Sequence, residues 1–212
     1  MEPWVRRFAN RIATELHLDA EREAVIAYGL IAIVQISLTL LLVVLFGLLV
    51  GALWEALVIC LSVSIYRKYS GGAHAHDAEF CTVVTVVYCT LAALVARWLA
   101  THYVPALMLA AIALTYGVAF WVAYQRVPVD SPNKPIKTER KIRRMRKTSF
   151  LLLSMFVCVS VFFYVLGVHP TVGRALGISL LLGVGWQTLT LIPLGAILLN
   201  KLNDLPKFFK RR

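Results

Sequence analysis

The sequence predicts an all-α membrane protein: an N-terminal amphipathic helix followed by about six transmembrane helices, with both termini cytoplasmic. Three observations carry that expectation. Of the 212 residues, 59% are hydrophobic and only 16% charged, against about half and about a quarter in a soluble domain. The apolar residues come in long blocks, the pattern of several membrane spans rather than of one large core. Finally, when the chain is threaded six times through a bilayer, all of its 22 basic residues except Arg97 and Arg174 fall on one side. Cytoplasmic loops carry such an excess of Lys and Arg. Topology and anionic headgroups therefore account for the net charge of +11, and no nucleic-acid partner is expected.

The elements follow in order. Pro3 to about Glu23 reads as one helix, because Val5, Phe8, Ile12 and Leu16 recur at helical spacing while Arg6, Arg7, Arg11 and Glu15 lie elsewhere on the wheel. Trp4 and the arginines suit the headgroup layer. From Ala24 to Tyr66 the only charge is Glu55. At ~1.5 Å per residue this run is about twice the ~30 Å hydrocarbon thickness. It is read as two spans, about 25–46 and 52–66, reversing around Gly47, Gly51 and Trp54, with Glu55 at the outer interface. A third span is expected at about 81–99, a fourth at 106–124 and a fifth at 149–166. A turn at Gly167 to Gly173 then precedes a sixth span at 176–199. The chain thus divides into an interfacial helix (1–23), one transmembrane domain (24–200) and a basic tail (201–212). The transmembrane domain contains a polar segment at 67–81 and a basic loop at 125–148. No cleavable signal peptide is expected, since the N-terminus lacks an early apolar core.

The polar segment from Ser70 to Cys81 holds two histidines, two carboxylates and a cysteine in an otherwise apolar protein. Cys60, Cys89 and Cys158 lie within apolar runs, where a free cysteine behaves as a small hydrophobe. Cys81 is different. A thiol near pKa ~8.5 is only a few per cent thiolate at neutral pH and needs a base or a favourable field to act as a nucleophile. A histidine is the first source of help, and the start of the third span is the second, since a helix N-terminus favours an anion. On one straight helix, His74 and Cys81 would sit ~10 Å apart along the axis, so the chain must bend between them. Gly71 and Gly72 supply flexibility just before His74.

His76 is a rival base, and Asp77 or Glu79 could orient an imidazole or satisfy free N–H groups at the helix start. Three readings stay open at this point: a Cys/His nucleophilic pair, a metal site of His74, His76, Asp77 and Cys81, and a plain polar loop. The metal reading lacks a second ligand pair of suitable spacing. Arg67 is open to two roles, as a positive-inside anchor or as a ligand for a substrate carboxylate.

Arg67, Gly72, His74 and Cys81 together resemble the pattern of the accessory gene regulator B (AgrB) family: an arginine, a glycine two before a histidine, and a cysteine seven after it. The run Pro128 to Ile136 is similar to that family's Pro/Lys-rich cytoplasmic loop. The resemblance covers nearly the whole chain. It implies a multi-pass cell-membrane cysteine endopeptidase of a Gram-positive bacterium, acting from the cytoplasmic side on a quorum-sensing propeptide. Cys81 would be the nucleophile and His74 its base, with Arg67 and Gly72 in support; His76, Asp77 and Glu79 are further candidate supports from the chemistry of the segment itself. Asn133, Lys134 and Lys137 would contact substrate. The implied partners are a short AgrD-like precursor, anionic lipid and a second copy of the chain. No metal or other cofactor is implied.

The competing class is a non-enzymatic polytopic protein, a small transporter or an assembly partner. A transporter of this size more often places ionisable residues near the bilayer centre, whereas here they cluster at a membrane edge.

Overall fold

The computed structural model describes residues 2–72, 78–102, 104–129, 138–166, 170–198 and 201. Among these residues the named helices run in chain order: α1 (Glu2–Glu15), α2 (Ala20–Leu49), α3 (Leu53–Ser70), α4 (Ala78–Thr101), α5 (Pro105–Arg126), α6 (Glu139–Leu166) and α7 (Pro170–Thr190). Helices α2, α4, α5, α6 and α7 are long and apolar enough to cross a membrane. In lipid, every spanning backbone must satisfy its own hydrogen bonds, which a helix does within one segment. The chain is an all-α membrane protein with an N-terminal helix ahead of five to six span-length helices.

The predicted helix to Glu23 is two helices. Leu16 ends α1, and His17 takes a left-handed conformation (φ 50°). His17 N–H donates to the Thr14 carbonyl at 3.3 Å and Leu18 N–H to that of Ala13 at 2.9 Å, the paired bonds that close a helix C-terminus. Asp19 then caps α2, its Oδ1 accepting from Arg22 N–H at 2.8 Å, with Glu21 and Glu23 in the positive first turn. Periodicity carried across the break and hid it. Helix α1 rests on α2 with Ala9 and Ala13 buried, while Trp4 and Phe8 point outward at 77% and 56% exposure.

Helix α3 is the shortest of the bundle helices, at 18 residues, and carries Glu55, Arg67 and Lys68. It is nevertheless central, packed on α2, α4, α6 and α7, and it buries Ala56, Ile59, Cys60, Ser62, Val63, Tyr66 and Ser70. Lipid tails are as apolar as these side chains, so association depends on close approach. Glycine provides it at two crossings. A Cβ at Gly47 would stand 3.1 Å from Leu53 Cα, and one at Gly183 would stand 2.0 Å from Ser62 Oγ and 3.2 Å from the Ile59 carbonyl. Hydrogen bonds join further helices: Tyr88 Oη donates to the Leu182 carbonyl (2.8 Å) and Tyr116 Oη meets Ser160 Oγ (2.8 Å).

Two further expectations need correction, and the structure gives Glu55 a partner. Glu55 is buried at 4% exposure and pairs with Arg97 Nε at 3.0 Å, and Arg97 Nη1 also donates to the Gly51 carbonyl. The helix of the expected fifth span, α6, begins at Glu139, ten residues before its apolar part, because the basic run from Glu139 continues the same helix. There Arg146 donates to the Tyr124 carbonyl and lies over the Tyr124 ring. Finally, α7 starts at Pro170, where a proline is tolerated in the first turn, and stops at Thr190. A turn precedes Pro193 and a short helical piece at 193–198, since Pro193 cannot continue the backbone ladder.

Candidate active site at one end of the bundle

The end of α3 and the start of α4 lie at the same end of the bundle. Arg67 is in the last turn of α3 and Cys81 in the first turns of α4. Cys81 is half-exposed, unlike the buried Cys60 and Cys89, and all four cysteines are free thiols. Thr85 Oγ1 donates to the Cys81 carbonyl at 2.8 Å, within the helix. Arg67 and Cys81 are close enough to interact electrostatically. Burial pulls the Arg67 guanidinium below its usual value, and negative charge on the Cys81 sulfur acts in the opposite sense. A cation taken out of water in this way is stabilised by an anion facing it. Glu79 is exposed beside the start of α4.

His74, His76 and Asp77 lie outside the described residues, as do Asn133, Lys134 and Lys137. Among the described residues no group of three or more His, Cys, Asp or Glu could hold a metal ion. Three of the four donors of the alternative metal site fall outside that set.

The chain leaving α3 is held on two sides. Gly71 (φ 73°) donates its N–H to the Arg67 carbonyl at 3.0 Å and ends the helix. Val129 N–H donates to the Ser70 carbonyl at 2.9 Å, and Gly71 and Val129 form a parallel bridge. The root of the polar segment is therefore joined to the root of the basic loop. A Cβ at Gly71 would lie 2.0 Å from the Val129 oxygen, a separation no side chain tolerates.

From the other side, α7 contributes Gln187, whose side chain is fully buried. Gln187 Nε2 donates to the Gly71 carbonyl at 2.7 Å and to Ser70 Oγ at 3.1 Å. Gly72 (φ 130°) fits against it: a Cβ there would be 2.8 Å from Thr190 Oγ1 and 3.1 Å from Gln187 Nε2. Sequence reasoning did not single out Gln187, Ser70, Thr190 or Val129. The available signal was Gln187 itself, an amide in an apolar span that must find a partner.

The arrangement sets a half-exposed thiol beside a cation, after a strap clamped by two neighbouring elements. That is suited to presenting a nucleophile at a membrane edge. The chain matches the family described as accessory gene regulator B over residues 5–191. It is 30% identical over 201 residues to "Putative AgrB-like protein 2" of Clostridium perfringens (strain 13 / Type A), covering 92% of this chain and 93% of that protein. A "Putative AgrB-like protein" of Clostridium perfringens strain SM101 is 30% identical with the same coverage. One from Halalkalibacterium halodurans is 28% identical over 185 residues, covering 87% of this chain and 83% of that protein. No solved structure matches the chain. With the family pattern spanning almost every helix and both ends of the clamped strap, this chain belongs to the AgrB family.

Proposed function

We propose that this protein is a membrane-embedded cysteine endopeptidase that processes the precursor of an autoinducing peptide, with Cys81 as nucleophile and His74 as its base. The observation that carries this reading is the pairing of a half-exposed Cys81 with the half-buried Arg67 at one end of the bundle. Membership of a family involved in processing autoinducing peptides supports it.

His74 takes the Cys81 thiol proton, and the thiolate attacks a backbone carbonyl of the bound precursor. The C–N bond breaks, and the proton passes from the imidazolium to the departing amine. The C-terminal part leaves, and the remainder is held on Cys81 as a thioester. A cysteine of the precursor then attacks that carbonyl, closing a thiolactone and restoring the Cys81 thiol; a serine closes a lactone, and water gives hydrolysis. Ring closure needs the second nucleophile held close and water kept out, which a site at the lipid boundary provides.

Asn133, Lys134 and Lys137 receive an acidic part of the precursor, and the site faces the cytoplasm because the basic segments lie at that end. The working unit is a homodimer in the membrane.

The test is co-expression with a precursor encoded beside it, followed by mass spectrometry. Cys81→Ala and Cys81→Ser abolish cleavage while the protein still inserts in the membrane. His74→Ala does the same, and His76→Ala is milder. Continued cleavage by Cys81→Ala would overturn the mechanism.

A further inference from the structure

We propose that Gln187 is a positioning residue for this reaction: inserted from α7, its side-chain amide fixes the Ser70–Gly72 strap from which the His74 segment departs. The inference rests on the cysteine endopeptidase reading of Cys81 and His74. Four observations converge on it. Gln187 is fully buried, and both of its donor contacts, to Gly71 O at 2.7 Å and Ser70 Oγ at 3.1 Å, go to the strap rather than to a neighbouring span. Its Oε1 has no partner among the described residues. A buried acceptor left unsatisfied costs free energy, which offsets part of what the two donor contacts contribute to stability. The fourth observation is Gly72, which has room for no Cβ against Gln187 Nε2 and Thr190 Oγ1.

Thr190 also matters to the clamp. Its Oγ1 donates to the Gln187 carbonyl at 2.8 Å, closing the last turn of α7 behind the amide. Val129 holds the opposite edge of the strap through the Ser70 carbonyl. The amide thus decides the depth at which the chain leaves α3, and with it where the base meets the sulfur. A displacement on the order of 1 Å in such a pair lowers a rate by about a hundredfold.

The test uses the full-length protein in lipid vesicles with a precursor peptide. Four variants are compared: Gln187→Met, Ser70→Ala, the Ser70→Ala/Gln187→Met double variant and Gly72→Ala. Gln187→Met lowers kcat about tenfold or more with KM within about threefold, in protein that still inserts and keeps its helix content by circular dichroism. It also moves the pH profile of Cys81 alkylation by iodoacetamide, which a purely structural residue would not do. The double variant is no slower than Gln187→Met alone, because both groups act through one contact. Gly72→Ala, which drives a methyl against Gln187 and Thr190, reproduces the kinetic defect with the amide still present, so the test survives even where Gln187→Met fails to insert.

Activity within about twofold of wild type in Gln187→Met, or in Gly72→Ala where the former does not insert, overturns the inference. So does a rate loss with an unmoved alkylation profile. Cys81→Ala in the same assay separates the two failures: cleavage by that variant sinks the peptidase reading itself, whereas an inactive Cys81→Ala beside an active Gln187→Met sinks only the role of Gln187.

Discussion

Arg67 and Gly71 show how much single positions at this end of the bundle constrain. Arg67 is half-buried and faces Cys81 across the α3–α4 junction. Two opposite charges a few ångströms apart near a protein surface attract by several kcal/mol at most. Arg67→Ala is therefore expected to slow alkylation of Cys81 about tenfold, or ~1.4 kcal/mol, and Arg67→Lys to recover part of that loss; rates measured with a charged and a neutral alkylating agent check it. Gly71 is a matter of space rather than charge. Its positive φ and the Val129 oxygen where a Cβ would go mean that Gly71→Ala must break the bridge to Val129. Precursor cleavage should fall more than tenfold in that variant, with α3 itself intact by circular dichroism.

Helices interact in this protein through a few polar contacts set among many small residues. The Glu55–Arg97 pair joins α3 to α4 at the end opposite Cys81, and its two members differ in exposure: Glu55 is buried and Arg97 about half exposed. Removal of the partners should therefore be unequal. Arg97→Met strands a buried carboxylate and is expected to cost about 3–5 kcal/mol. Glu55→Met leaves a cation that can turn to solvent, and the double variant should be more stable than Arg97→Met alone; denaturation in detergent ranks the three. At the α1–α2 junction the left-handed His17 predicts that His17→Gly is tolerated or stabilising by about 1 kcal/mol, whereas Asp19→Ala loses about 1 kcal/mol of cap. The same junction shows why the first helix was misjudged from sequence. Hydrophobic spacing continues through a closed turn, and only the paired bonds from His17 and Leu18 mark the break. The start of α6 was misjudged for a related reason, since an apolar run reports membrane depth and not helix length.

Across the whole molecule, charge sets orientation and packing sets depth. The charge bias of the loops predicts that a reporter fused near residue 103 lies outside the cell, and reporters near residues 135 and 212 inside; alkaline phosphatase activity in the first alone would agree with that topology, and activity in either of the others would overturn it. The class of protein and its run of span-length helices could be read from the one-dimensional pattern. They depend on local chemistry, above all the cost of exposing a backbone to lipid. The central place of α3, the burial of the Glu55–Arg97 pair and the clamp on Ser70–Gly72 could not. Each joins residues far apart in the chain, Gln187 to Gly71 and Glu55 to Arg97 among them. Contacts of that kind exist only once the helices have chosen their neighbours, because close approach at glycine crossings, not the hydropathy of any one segment, selects which faces meet.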